Sequence, residues 1–486
     1  MMFFFPYNKA GRRPLHTFTL LLSVCFLAVV FVTGCQKVGV WANQPVPLKT
    51  GTVSAASADS LMGYTLGPGV WGYTDKSSYN PGDSVVVFLS SDTALPRKLT
   101  HVYTIDGRVV YTKRANITVQ NIASSRPWAE GFGLSPTYRF VIPGWFKSGV
   151  YLVEGKIPFI VKSARKNSAI TVVYPSNTNN AYSFNGGKSL YKPLGFKADT
   201  VSFLRPLPMD TNEDFFSPFL KWINGLNAYD VQYIADVDLD DYTEIKNSKV
   251  LITIGHSEYW TRAARTSFDS FVASGHNALL LSGNNMFWQA RYTPDKTKLI
   301  CHRVTAKHTD FDAANPDSMT YYWNYPPFKY TPQNSTAANY LWGAGVYLTA
   351  SKGYFVNRPQ SPLLEGTGLG FGDRIGIKSY EYDGMKIRHN PITNEVELDS
   401  SFITSGNKFS YQVIAYDSIS RPSKLDGYFR NGTLLVYKPS PTSGTVFNTC
   451  SPSWCSPKGM GGLDGDKIKR ITQNAIEKSI RGLSLF

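Results

Sequence analysis

From Ile170 onward the chain carries short apolar runs without polar alternation, and this feature most narrows the folds open to it. The runs are Ile170–Tyr174, Val201–Leu204, Val231–Ile234, Val250–Ile254 and Ala278–Leu281. A strand buried on both faces reads this way, whereas a strand with one wet face alternates. Between the runs lie stretches of helical character, Phe215 to Asn224 and Thr261 to Ser274, with Thr261 placed to cap the second. Buried strands alternating with helices predict a parallel sheet covered on both faces.

Upstream the pattern differs. Ser84–Leu89 follows the turn Asn80-Pro81-Gly82-Asp83, and Val102–Ile105 and Val109–Thr112 flank Asp106-Gly107. That dipeptide between two strand-like runs is a strong hairpin signal. Gly149–Val153 and Ile157–Val161 continue the series of short strands. The expected fold class is α/β plus all-β. An immunoglobulin-like β-sandwich over residues 63–165 precedes a flavodoxin- or glutamine-amidotransferase-like parallel α/β domain over 166–486. Within the second domain, residues 301–440 are turn-rich and aromatic, which suggests a β-rich insertion or sheet extension before a closing helix, Asp464 to Ile480.

The first residues place Lys9, Arg12 and Arg13 ahead of an apolar run from Thr17 to Val32, then Val32-Thr33-Gly34-Cys35. The run is shorter than the roughly 20 residues a spanning helix needs, so a signal peptide is favoured over residues 1–34. The residues before Cys35 resemble the lipobox of bacterial lipoproteins. The expectation is an exported protein, periplasmic or cell-surface, held at a membrane by lipid on Cys35 with residues 35–62 as a tether. Aromatics make up 14% and charged residues 17% of the chain, a balance that suits a packed globular body. The formal charge is +15, but the basic residues are scattered without interleaved aromatics, so no nucleic-acid partner is expected. Of the remaining cysteines, Cys450 and Cys455 are spaced to close a small disulfide loop, leaving Cys301 odd. Their spacing does not suit zinc.

Ligands of an open parallel sheet collect beyond the carboxyl ends of its strands. Three polar segments stand at such ends: Pro175–Tyr191, Ile254–Trp260 and Leu281–Trp288. Three such loops converging on one sheet edge would make a pocket. Singly they are ordinary: His256-Ser257-Glu258 reads as a turn, Tyr182 and Tyr191 as packing residues, and Asn284-Asn285 as turn chemistry.

Together the segments resemble the large (beta) subunit of N,N-dimethylformamidase. The pieces are Gly72–Lys76 before Tyr79–Gly82, Ser148–Tyr151 before Ile157–Phe159, Asn180–Tyr182 through Gly186–Tyr191, Gly255–Trp260, Gly283-Asn284, and Gly444–Asn448 leading to Trp454. The resemblance implies a mononuclear ferric iron held by two tyrosinates and one glutamate. By motif these are Glu258, Tyr182 and Tyr151, with Tyr138 or Tyr191 as alternatives for the second phenolate. His256 would carry a proton and Asn284 would hold the developing oxyanion. Three hard anionic oxygens balance a ferric charge, and such a centre polarises an amide carbonyl and acidifies water. The implied activity is iron-dependent hydrolysis of a small C–N amide bond. Ser257 departs from the family pattern, which has proline there. No small-subunit segment is evident, and a homo-oligomer is compatible. Two other readings stand beside this one. The chain could be a non-catalytic, glycan-binding surface lipoprotein using Tyr321, Tyr322 and Trp323, or a metal-free hydrolase using His256 and Glu258.

Overall fold

The computed structural model describes residues 69–191, 197–210, 214–303, 319–325, 328–345, 351–377, 379, 381–393, 395–399, 410–418 and 430–486. The signal segment, Cys35 and the tether lie outside the described residues. Strands outnumber helices several-fold among the described residues. The unbroken apolar runs form the middle of the largest sheet. Its strand order is Val231–Ala235, Ile170–Tyr174, Val250–His256, Asn277–Gly283, Val446–Asn448, Asn431–Lys438, Ser410–Ser418, Tyr354–Val356, Arg374–Ile375. The first five strands run parallel to one another, and every pairing beyond Val446–Asn448 is antiparallel.

Both faces of this sheet are covered, which explains the missing alternation. Val172, Ile252, Ile254, Leu279 and Leu281 pack with Phe219 and Ile223 of helix Ser217–Gly225, and with Ile468, Ile471 and Ala475 of helix Gly465–Ile480. Val173, Leu251 and Leu280 turn the other way and pack with Phe268, Phe271 and Val272 of helix Arg262–Ala273. Each such side chain contributes about 1.5–3 kcal/mol on burial. Thr261 Oγ1 accepts from Ala264 N at 3.0 Å, a cap worth about 1 kcal/mol.

Two expectations fail here. The run beginning at Val201 does not join the large sheet: Thr200–Ser202 pairs antiparallel with Lys298–Ile300. Val201 packs instead with Leu190, Tyr259 and Trp288. An apolar run specifies burial and leaves open which sheet provides it. The Cys450–Cys455 disulfide is also not formed, since Cys301, Cys450 and Cys455 are all free and buried. Cys455 packs in the core on one face of the large sheet and Cys450 in the core on the other. The Cys455 thiol lies 3.4 Å from Leu281 O, and that of Cys450 3.7 Å from Thr433 Oγ1.

Strands from residues 301–440 extend the large sheet through Asn431–Lys438. Upstream, a three-stranded sheet (Trp71–Thr74, Ser84–Ser90, Tyr138–Val141) and a five-stranded one (Ser78–Tyr79, Ile157–Val161, Gly149–Val153, Leu95–Thr104, Val109–Ile117) share one core. The Asp106-Gly107 hairpin forms, with Gly107 at φ +87°. Ile105, Val150, Leu152 and Ile160 pack into the core of the large sheet. Lys162 bonds Asp238 at 3.1 Å and Glu244 at 3.0 Å across the same junction. No helix among the described residues is long and apolar enough to cross a membrane.

Candidate active site

The candidate site is built at the carboxyl ends of three adjacent parallel strands, Ile170–Tyr174, Val250–His256 and Asn277–Gly283. The backbone locks the three following segments together. Glu258 N donates to Thr178 Oγ1 at 3.1 Å, Ser257 N to Gly283 O at 3.2 Å, Met286 N to Ser257 O at 3.0 Å and Trp288 N to Glu258 O at 2.9 Å. Gly255 bends the strand end at φ +64°, where a Cβ would sit 2.8 Å from Phe216 Cδ1. Asn284 and Met286 also hold positive φ, +51° and +55°. A left-handed non-glycine residue costs of order 1–3 kcal/mol and persists only when its surroundings enforce it. Enforcement comes from Asp383 Oδ2, which accepts from both Asn285 N and Asn285 Nδ2 at 3.0 Å.

The segment after Tyr174, expected as a loop, opens as the helix Ser176–Tyr182, in which residues 176–181 are all buried. Ser, Asn and Thr favour helix interiors poorly because their side chains compete for backbone bonds. Here those side chains are occupied elsewhere. Asn177 Nδ2 donates to Tyr259 O at 3.1 Å, Asn179 Nδ2 to Met209 O at 2.8 Å, and Asn180 Oδ1 accepts from Arg205 Nη2 at 2.9 Å.

Tyr182 ends this helix, and Tyr191 returns beside it because Leu190 N donates to Ala181 O at 3.1 Å. The two rings stack at 3.9 Å. The Tyr191 hydroxyl donates to Glu258 Oε1 at 2.5 Å, and Trp288 Nε1 donates to the same oxygen at 3.0 Å. Glu258 is fully buried, and its Oε2 has no hydrogen-bond partner. That oxygen lies 3.9 Å from His256 Nδ1, which is likewise buried and unpartnered. On the far side of the imidazole, His256 Nε2 is 2.9 Å from Glu381 Oε2, and Asn284 Nδ2 donates to that same oxygen at 2.7 Å. An ionised Glu381, which can only accept, would select the tautomer with hydrogen on Nε2 and the Nδ1 lone pair facing Glu258. The Tyr182 and Phe215 rings stand 5.3 and 5.8 Å from the imidazole. The Arg303 guanidinium lies 3.5 Å over the Tyr191 ring and 4.5 Å over that of Trp288. Burial raises the Tyr191 phenol well above its ordinary pKa, Arg303 offsets part of that, and Glu258 adds to it.

His256, Glu258, Asn284 and Tyr182 therefore come together as the sequence suggests, and Tyr151 does not. Its ring stacks between Phe146 and Phe159 in the upstream core, and its hydroxyl donates to Lys147 O at 2.8 Å. Tyr138 lies in the same core. Tyr191, the remaining alternative, is the tyrosine that touches Glu258. Asn284 also differs from expectation in polarity: its Nδ2 is committed to Glu381, and the atom left without a partner is its acceptor, Oδ1. Glu381 and Arg303 were missed, because neither sits in a recognisable motif, and Trp288 closes the segment Leu281–Trp288 without a role of its own having been read. Of the aromatics considered for sugar stacking, Trp323 is fully buried against Phe328 and Tyr330, while Tyr321 and Tyr322 are half-buried.

Among the described residues no three His, Cys, Asp or Glu side chains converge as a metal site. An ion at this site would need phenolic oxygen as well. Tyr191 and Glu258 supply oxygens in contact, the Tyr182 ring stacks on Tyr191, and the unpartnered Glu258 Oε2 is the atom that an ion would satisfy.

Residues 102–462 match the family described as N,N-dimethylformamidase beta subunit-like, C-terminal. The chain belongs to this family. The N,N-dimethylformamidase beta subunits of Alcaligenes sp and Paracoccus aminophilus are each 24% identical to it over 282 residues. The aligned region covers 54% of this chain and 36% of each relative, so the match spans about a third of their length. A ThuA-like protein of Bacteroides uniformis ATCC 8492 aligns with 54% of this chain and 81% of its own at 12% identity. Its TM-score of 0.29 is too low for the family assignment to draw on it.

Proposed function

We propose that this chain is an amidohydrolase that cleaves a small C–N amide bond at a mononuclear ferric centre held by Tyr182, Tyr191 and Glu258. We place it outside the cytoplasm, on a membrane, through lipid on Cys35. The observation that carries the catalytic reading is the buried Glu258 carboxylate. One of its oxygens is fixed by Tyr191 and Trp288, and the other is unpartnered beside the unpartnered Nδ1 of His256. Leaving a carboxylate oxygen dry and alone is costly, and a cation at that point would offset the cost.

Iron bound there would act as a Lewis acid toward the amide carbonyl and lower the pKa of water. The protein's own part is positioning and proton transfer. His256, with its Nε2 proton donated to Glu381, has a free Nδ1 lone pair aimed into the pocket. It takes a proton from the attacking water and returns it to the departing amine nitrogen. Glu381 steadies the imidazolium formed between those events, as a buried carboxylate does for a catalytic histidine elsewhere. Asn284 Oδ1 accepts from an N–H of the substrate or of the departing amine. Tyr182 and Phe215 set aromatic surface beside His256 and keep loose water from it. Dimethylformamide is named only by the relatives, and the substrate proposed here is the broader class of small linear amides.

Purified protein from an iron-replete culture should carry close to one iron per chain and show a tyrosinate-to-ferric absorption band. Glu258→Gln should lose both. Colourless, iron-free wild-type protein would remove the metal from this reading.

A further inference from the structure

We infer that Arg205 is a positioning residue for the Tyr182–Tyr191 pair, an inference that rests on the reading of that pair as iron ligands. Arg205 is fully buried, and its hydrogen bonds go to main-chain carbonyls and the Asn180 side chain. Its Nε donates to Ser202 O at 3.0 Å. Nη1 donates to Ser183 O at 3.1 Å, to Asn185 O, and more weakly to Lys188 O at 3.4 Å. Nη2 donates to Asn180 O at 2.8 Å and to Asn180 Oδ1 at 2.9 Å. Every one of these acceptors is neutral, and all five N–H donors are engaged.

The placement of the acceptors along the chain carries the argument. Apart from Ser202 O, they lie at residues 180, 183, 185 and 188, on either side of Tyr182 and up to three residues short of Tyr191. The segment they belong to has little rigidity of its own. Gly186 and Gly187 both take positive φ, +91° and +92°, and Gly186 passes so near Trp128 N that a Cβ would lie 2.7 Å from it. Consecutive glycines leave a chain many conformations. One guanidinium gathering the carbonyls removes that freedom, and next to it Asn185 Nδ2 donates to Pro206 O at 2.8 Å. The stack of Tyr182 on Tyr191 at 3.9 Å sits where two ties meet, this guanidinium and the Leu190 N to Ala181 O bond. A buried guanidinium with no carboxylate beside it is an expensive way to fill space, since apolar side chains of similar volume do so at no charge penalty. Holding carbonyls in a fixed fan is what a planar five-donor group does and an apolar or ammonium side chain does not.

The full chain with Arg205→Lys or Arg205→Met tests this. Lysine keeps the charge but offers three donors from one point. In iron-free protein, amide hydrogen exchange across residues 183–191 should accelerate by about tenfold or more, with the strand Val250–His256 unchanged. Iron affinity should fall by about 10- to 100-fold, and the tyrosinate-to-ferric band should shift, with lysine milder than methionine. Wild-type exchange in the loop overturns the inference. So does faster exchange with unaltered iron affinity and band, which would make Arg205 a structural tie only. If neither variant folds, Asn180→Ala, which removes one acceptor and leaves the guanidinium, decides by the same two readings. If wild-type protein takes up no iron, the catalytic reading fails on its own, while the exchange comparison at Tyr182 and Tyr191 still shows whether Arg205 holds the pair.

Discussion

A phenol becomes a metal ligand or a packing group according to what lies within a few ångströms of its oxygen. The Tyr191 oxygen meets a buried carboxylate, with Arg303 over the ring. That of Tyr151 meets a backbone carbonyl and its ring lies between two phenylalanines. Tyr191→Phe should therefore weaken and shift the tyrosinate-to-ferric band, Tyr182 being left as the one phenolate, and weaken iron binding. Tyr151→Phe should leave both intact and cost about 1 kcal/mol of stability for one hydrogen bond. Absorption and metal titration of the two variants decide between the residues, and the opposite result would move the site. Glu381 acts at the same scale, since its Oε2 serves His256 and Asn284 at once. Glu381→Gln should lower kcat by about 100-fold or more with little change in KM, because it disturbs proton transfer and orientation and leaves the proposed ligands in place. An equal loss confined to KM would assign Glu381 to binding instead.

At the scale of elements, the site depends on how strands end. Gly255 turns its strand at φ +64° with Phe215 and Phe216 pressed against the missing Cβ. Gly255→Ala should destabilise the protein by about 1–3 kcal/mol and displace His256, read as a lower denaturation midpoint together with weaker activity. A midpoint equal to wild type would show that the strand end has slack. The strands around this turn were legible in the sequence, because burial on both faces leaves an unbroken apolar run such as Val250–Ile254. The helix Ser176–Tyr182 was not, because its polar residues become helical only through partners such as Tyr259 O, Met209 O and Arg205. Glu381 was illegible for a related reason. It reaches His256 from 125 residues away, on the strand Glu381–Gly384 of a separate two-stranded sheet, and nothing in Glu381-Tyr382-Asp383 marks it. Motif reading found the side chains that sit together in sequence, whereas the choice among Tyr138, Tyr151 and Tyr191 needed three-dimensional proximity.

For the whole molecule, stability across pH depends on carboxylates buried where the upstream sheets meet the large one. Lys162 crosses this junction. Burial disfavours its charge, but Asp238 and Glu244 outweigh that and hold its pKa above the ordinary value. Its contribution is therefore complete below the ordinary lysine range and is lost only as pH rises through the higher folded value. Asp236, in the same turn as Asp238, behaves oppositely to a paired carboxylate. Burial pushes it up to about 8; the Asn177 amide that it accepts from pulls the other way, and the charge of Asp238 adds to the rise. The folded chain thus keeps this carboxyl protonated to higher pH than the unfolded chain, in which it ionises near 3.8. Stability from this group is full below the unfolded value and is lost as pH climbs toward about 8, by at most about 1.4 kcal/mol per pH unit. Asp236→Asn, which keeps an acceptor for Asn177 N and cannot ionise, should match wild type near pH 4 and melt at a higher temperature near pH 8. A constant offset between the two melting curves from pH 4 to 8 would mean that Asp236 is ionised in the folded protein, and that bonds to its neighbours rather than burial set its charge.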